Sequence, residues 1–320
     1  MKASLKLGTK LAILILCAIV FGATMVALSV RSHSVRDGES YEMGSGKKIE
    51  KTFSVQPGGK LFVDADEGNI TITGSETSEI AVHVYARGSD ELLRKFDVKF
   101  DQDGNTVTVG GRLKHKYFDL FGNNDLDIEF EIQIPSKFNL DLRTSGGNIS
   151  VDNLTGDIVG ETSGGNLILG KLDGAVKMST SGGNISLRGA SGNFQLETSG
   201  GNIHGEGIVG DTHVETSGGN IELRDLDGKL YGSTSGGDIR AEMKNNKGID
   251  LSTSGGNLIV RLPKSATGDV TAEATGGDVS CDFQFAGKMK DGSMNGKING
   301  GGNLIRLETS GGDIVINSLE

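Results

Sequence analysis

Between residues 49 and 134 apolar and polar residues alternate in short runs: FSV from Phe53, LFV from Leu61, ITIT from Ile70, IAVHVY from Ile80, FDVKF from Phe96, TVTV from Thr106 and LDIEFEIQI from Leu126. A period of two predicts strands with one face buried. Turn signals separate them at Pro57-Gly58-Gly59, Glu67-Gly68-Asn69, Asp103-Gly104-Asn105 and Gly122-Asn123-Asn124. One short helix is expected, at 90–95. Beyond residue 143 the alternation acquires a longer beat, because TSGGN at Thr144 returns at Thr162, Thr180, Thr198, Thr216 and Thr234 (there ending in Asp238) with a step of eighteen residues. Later copies begin at Thr253, Ala274 and Thr309, with a relative, NGGGN, at Asn299. A fixed short period is the mark of a repeat architecture.

Each eighteen-residue unit reads as two strands and two turns, and its inward positions line up from copy to copy. One column is Ile149, Leu167, Ile185, Ile203, Ile221, Ile239 and Leu258, and a second is Ile158, Val176, Phe194, Thr212, Leu230 and Ile249. A third runs Gly160, Met178, Leu196, Val214, Gly232 and Leu251, followed by the threonines that open TSGGN. A single coil cannot bury its apolar face, whereas stacked coils bury it continuously. The predicted fold class is therefore all-β: a parallel β-solenoid (β-helix) of about ten coils and roughly 5 nm length at the usual strand spacing. The insert FQFAGKMKDGSMNG, at 282–296, breaks the period and is expected to be a hairpin or a terminal cap. Cys281 is expected to point inward beside Val279 as a small buried hydrophobe.

The first 36 residues follow a different pattern. Residues 11–30 are twenty in a row without a charge, preceded by Lys2, Lys6 and Lys10, which predicts a membrane-spanning helix with the N-terminus inside and the body exported. The alternative is a cleaved signal ending near Ala27-Leu28-Ser29. A lipoprotein cleavage at Cys17 is disfavoured by Leu16. The predicted organisation is a signal anchor at 1–36 with its helix at 11–30, a tether at 37–48, a capping β-rich module at 49–143 and the solenoid at 144–317. In either version the body lies outside the cytoplasm, periplasmic or at the cell surface, and is secreted if the signal is cleaved.

Composition sharpens this picture at two points. Glycine at 51 of 320 residues, with 3 Pro and no Trp, is explained by the repeat, which spends glycines on tight turns or close backbone approaches. The formal charge of −10 includes five bases and no acid in the first 36 residues, which leaves −15 for the remainder. A body so acidic and poor in aromatic residues excludes nucleic acid as a partner. The two cysteines, Cys17 and Cys281, sit too far apart in role and place to form a disulfide framework.

Candidate chemistry lies in the outward and corner positions. Asn148, Asn166, Asn184, Asn202, Asn220, Asp238, Asn257 and Asp278 line one edge and are expected to form a structural ladder, each side chain bonding to the next rung. A row of calcium sites is excluded by ligand count, since most members are neutral amides. Glu161, Glu197, Glu215, Glu273 and Glu308 are expected to form an outward acidic stripe with Ser179, Ser233 and Ser252 between them. Its default role is a solvated face that discourages sheet association, and its functional role would be holding a cationic ligand or divalent ions. His204 and His213 have no nucleophile and no third metal ligand at useful spacing. No catalytic residue, cofactor or metal site is predicted.

TSGGNI, IPSKFNLDLRTSGGNI and the closing GKINGGGNLIRLETSGGDIVI together resemble the bacterial β-strand-repeat family known as "putative adhesins" of unknown function, over about residues 49 to 317. The resemblance implies a right-handed, envelope-associated, non-enzymatic β-solenoid with no agreed ligand. Some relatives resemble participants in envelope-stress responses. The expected function is a cell-envelope scaffold for adhesion or for protein and glycan contacts, held to the inner membrane by its first helix. Self-association through the terminal coil is a further expectation. The alternatives are an envelope-stress sensor and a polysaccharide-acting enzyme, which would need a groove with two carboxylates near 282–296.

Overall fold

A computed structural model describes residues 39–42, 46–114 and 126–319. The expected membrane helix at 11–30 lies outside the described residues, and among the described ones no helix is long and apolar enough to cross a membrane. The described chain is all-β and mostly parallel, apart from a short helix, Asp90–Lys95, capped by the Ser89 hydroxyl. The tether expected at 37–48 instead holds, in its described part, strand Glu39–Glu42, paired antiparallel with Gly46–Ser54. An edge strand needs only one hydrogen-bonded neighbour, so a polar stretch can form it without an apolar period.

The repeat folds as its period demands. Ile149 pairs with Leu167, Leu167 with Ile185, Ile185 with Ile203, and so on, always eighteen residues apart until Ile239 meets Leu258. The extra residue is taken up in the turn at 244–248: Leu226 meets Met243 seventeen residues on, and Leu230 meets Ile249 nineteen residues on. All three predicted apolar columns point into one core, and so do the opening threonines. Two further inward columns emerge at the bend: Val151, Leu169, Leu187 and Leu223, and Leu154, Leu172, Ala190, Ile208 and Leu226. Glycine in a column makes room for a larger neighbour. A Cβ on Gly160 would meet the Met178 thioether, and one on Gly232 would meet Leu251.

The second turn of the unit is softer than expected. Leu167–Thr180 and Ile185–Thr198 run through it as unbroken fourteen-residue strands. The bend is made by a left-handed residue at Asn153, Lys171, Gly189, Gly207 and Asp225, followed three residues on by a positive-φ glycine at Gly156, Gly174, Gly192 and Gly210. An L-residue pays a steric penalty there that glycine avoids. Lys171→Gly, at φ 49°, should therefore raise stability by about 1 kcal/mol, read as a higher urea midpoint; an unchanged or lower midpoint would mean that the bend carries no such strain.

The order of rungs in space is not the order in sequence. At the N-terminal end Asn69–Ser75 lies between Asp127–Pro135 and Ile149–Thr155, while Lys60–Ala65 lies between Thr106–Leu113 and Asn139–Thr144. Residues 49–143 thus contribute parallel rungs as well as antiparallel end strands. At the other end Leu304–Thr309 is inserted between Ile249–Thr253 and Gly268–Ala274, and Ile314–Leu319 between Leu258–Pro263 and Val279–Cys281. The 282–296 insert forms a hairpin, Phe285–Lys290 with Ser293–Ile298, that closes one face by pairing antiparallel with Gly268–Ala274. Cys281 lies in the last strand of the other face, so it is half-buried rather than enclosed. Burial still pushes its thiol up from the ordinary value.

Candidate interaction surface

The TSGGN corner is consumed by the architecture. Thr162, Thr180, Thr198, Thr216 and Thr234 each donate a hydroxyl hydrogen bond of 2.8–2.9 Å to a glycine carbonyl of the preceding rung. Each also accepts the N–H of its own second glycine. The buried hydroxyls therefore bond to backbone and not to one another. At the Asn column the Oδ1 of Asn148, Asn166, Asn184, Asn202 and Asn220 accepts the backbone N–H of the next member at 2.7–2.8 Å. Asp238 accepts from Asn257 in the same way and also pairs with Arg240. The row then passes to Asp313 before reaching Asp278, and it begins one rung earlier, at Asn69. Sequence reasoning missed both additions, although Gly68-Asn69-Ile70 and TSGGD at Thr309 carry the signal.

The acidic stripe lies outward along the second strand of each coil. Glu161, Glu215, Glu273 and Glu308 are exposed and Glu197 is half-buried. Glu273 and Glu308 are rung neighbours, because the C-terminal coil is intercalated. Like charges on adjacent rungs repel, and local partners offset this: Gln195 Nε2 donates to Glu197 at 2.6 Å, His213 Nε2 lies 2.9 Å from Glu215, and Arg306 Nε lies 3.8 Å from Glu308. His204 sits on the opposite face of the stack, 3.8 Å from Glu222, so the two histidines do not meet. That opposite face also carries Arg188, Glu206 and Arg224 in register on successive rungs, followed by Glu242 beside Arg261, a charge alternation spaced by the repeat that sequence reasoning overlooked. Among the described residues no group of three or more His, Cys, Asp or Glu could hold a metal ion.

Beside the stripe runs an open groove of about 700 Å³. One side is the outward column Val159, Lys177, Gln195, His213 and Tyr231, and the other is Asp157, Ala175, Asn193 and Asp211, each two residues earlier in the chain on the same rung. It crosses five rungs, about 2 nm at the usual strand spacing. The His213 and Tyr231 rings stack at 6.2 Å with 29° between their planes, and Tyr231 remains 46% exposed. Of these residues the sequence drew attention only to His213, and only to set it aside for want of a nucleophile or a third metal ligand. Their identities vary from rung to rung, so they share no motif.

The family model described as Toastrack DUF4097 matches residues 59–317. The chain belongs to the toastrack family. Solved structures similar to this toastrack chain include a putative adhesin from Bacteroides fragilis (16% identity, TM-score 0.44, covering 85% of this chain and 97% of the other). A putative adhesin from Parabacteroides distasonis (14%, 0.37, 86% and 98%) and a putative lipid binding protein from the same species (11%, 0.31, 85% and 97%) are also similar. No curated protein matches the chain. The toastrack match spans both the N-terminal strands and the TSGGN coils.

Proposed function

We propose that this toastrack protein is a non-enzymatic adhesion scaffold of the bacterial envelope, its stack held outside the cytoplasm by the apolar segment at 11–30. The observation that carries this reading is the division of labour around the coil. The repeated polar residues, Thr198 and Asn184 among them, are spent on hydrogen bonds between rungs, while the varied outward residues form continuous columns along the stack. Such a surface binds by area and repetition rather than by enclosing a substrate, and several weak contacts along one rod add up. The adhesin descriptions of similar proteins agree with it. The lysine-flanked run at 11–30 supports the membrane attachment.

The test has two arms. Cells displaying the full chain should adhere to envelope or host glycans and should yield a partner in an envelope pull-down, and an alkaline phosphatase fused after the body should be active, as only an exported enzyme is. Inactive fusions would overturn the placement. Active fusions with neither adherence nor a partner would overturn the scaffold.

A further inference from the structure

We propose that the groove beside Tyr231 binds a neutral, linear polysaccharide laid along the stack, with about one pyranose over each rung. The inference rests on the scaffold reading and names its ligand class and its site. Three properties of the groove lead to it.

The first is its shape and direction. It runs across the strands, over five rungs, on a face whose backbone N–H and C=O groups are already paired between rungs. A peptide recognised by strand addition needs a free sheet edge, and this face offers only side chains. A sugar chain needs no backbone partner.

The second is its mixture of polar groups. Lys177 donates, Asp157 and Asp211 accept, and Asn193 and Gln195 do both. A sugar hydroxyl also does both, so a polyhydroxylated chain can satisfy each of them in turn. The charges are of mixed sign within a few rungs. Two carboxylates oppose a polyanion, and the ammonium of Lys177, on a rung between them, opposes a polycation. What is left is a ligand without net charge.

The third is an apolar platform. The stacked rings of His213 and Tyr231 present an exposed face at one end, and Val159, 46% exposed, stands at the other. The C–H face of a pyranose packs on an aromatic ring and removes apolar surface from water. Glu197 and Glu215 act as positioning residues: their hydrogen bonds to Gln195 and His213 hold those side chains in place before a ligand arrives, which lowers the ordering cost of binding. On this view part of the acidic stripe serves the groove rather than a cation.

The test is calorimetric titration of the full-length protein in detergent with three neutral β-1,4-linked hexasaccharides, of glucose, xylose and N-acetylglucosamine, and with hexalysine as the charged control. At least one hexasaccharide should bind, Tyr231→Ala should weaken it about tenfold, and Tyr231→Phe should restore it. Because Tyr231 is half exposed, the melting temperature of both variants should match that of the parent, which separates a lost contact from a lost fold. Binding left unchanged by Tyr231→Ala would overturn the site, and binding of hexalysine alone would overturn the ligand class. If no hexasaccharide binds while displayed cells still adhere, this inference falls and the scaffold reading stands.

Discussion

Gly201→Ala should destabilise the stack by about 3 kcal/mol or more, whereas Gly200→Ala, one residue earlier in the same TSGGN corner, should change it by less than about 1 kcal/mol. Neither glycine has a positive φ, so conformational freedom does not distinguish them. Spacing does. A Cβ on Gly201 would fall far inside van der Waals contact of the Gly183 carbonyl oxygen, and it would lie 2.8 Å from the Asn184 nitrogen. All of these atoms are backbone, so nothing can rotate away. A Cβ on Gly200 would sit 3.7 Å from the Gly182 and Ser181 oxygens, an ordinary contact. Relief at Gly201 requires the rungs to part, and parting them stretches the bond from Thr198 Oγ1 to the Gly183 carbonyl and the one from Asn202 N–H to Asn184 Oδ1. The same close approach recurs at Gly165, Gly183, Gly219 and Gly237, which explains why the second glycine of the motif recurs so faithfully. Urea midpoints measure the difference, and hydrogen exchange around residues 183–220 localises it, since coils couple mainly to their neighbours. Equal midpoints for the two variants would refute the spacing argument.

The eighteen-residue beat made the coil legible. Period-two alternation inside a fixed repeat leaves little freedom for the inward columns, and Ile149 through Leu258 fall where that pattern puts them. Rung order was not legible, for a physical reason. Parallel pairing depends on shape and hydrogen bonding that the TSGGN copies supply almost alike, and the one local sign of the order is the missing corner hydroxyl at Ala274, where Thr309 takes the place beside Gly256. The groove was hidden for the opposite reason. Val159, Lys177, Gln195, His213 and Tyr231 share no residue type, and only the fold reveals that the repeat brings them into one column. The bend was half legible: Gly189 and Gly207 announce it, but Lys171 occupies the same left-handed position with no glycine to mark it.

Removing residues 304–320 should do more than trim an end. In a stack built in sequence order the loss of the last coil would leave the other rungs paired. Here Leu304–Thr309 and Ile314–Leu319 are inserted, so the truncation takes the parallel neighbour from Ile249–Thr253 and Leu258–Pro263 on one side and from Gly268–Ala274 and Val279–Cys281 on the other. Four fully buried side chains go with them, Ile305, Leu307, Ile314 and Ile316, each worth about 1.5–3 kcal/mol of burial. The rung at 268–281 could close the gap only by docking directly on 249–263, and the corner opposes that move. Thr309 Oγ1 donates to the Gly256 carbonyl at 2.8 Å, and the residue that would replace it is Ala274, which has no hydroxyl. A buried carbonyl would lose its partner, at a cost of about 1–3 kcal/mol. Limited proteolysis with mass spectrometry should therefore find 268–298 cut readily in the truncated protein while 144–243 stays protected. If 268–298 stays as protected as in the full chain, the terminal rung has closed onto 249–263, and the intercalated coil is not what holds it.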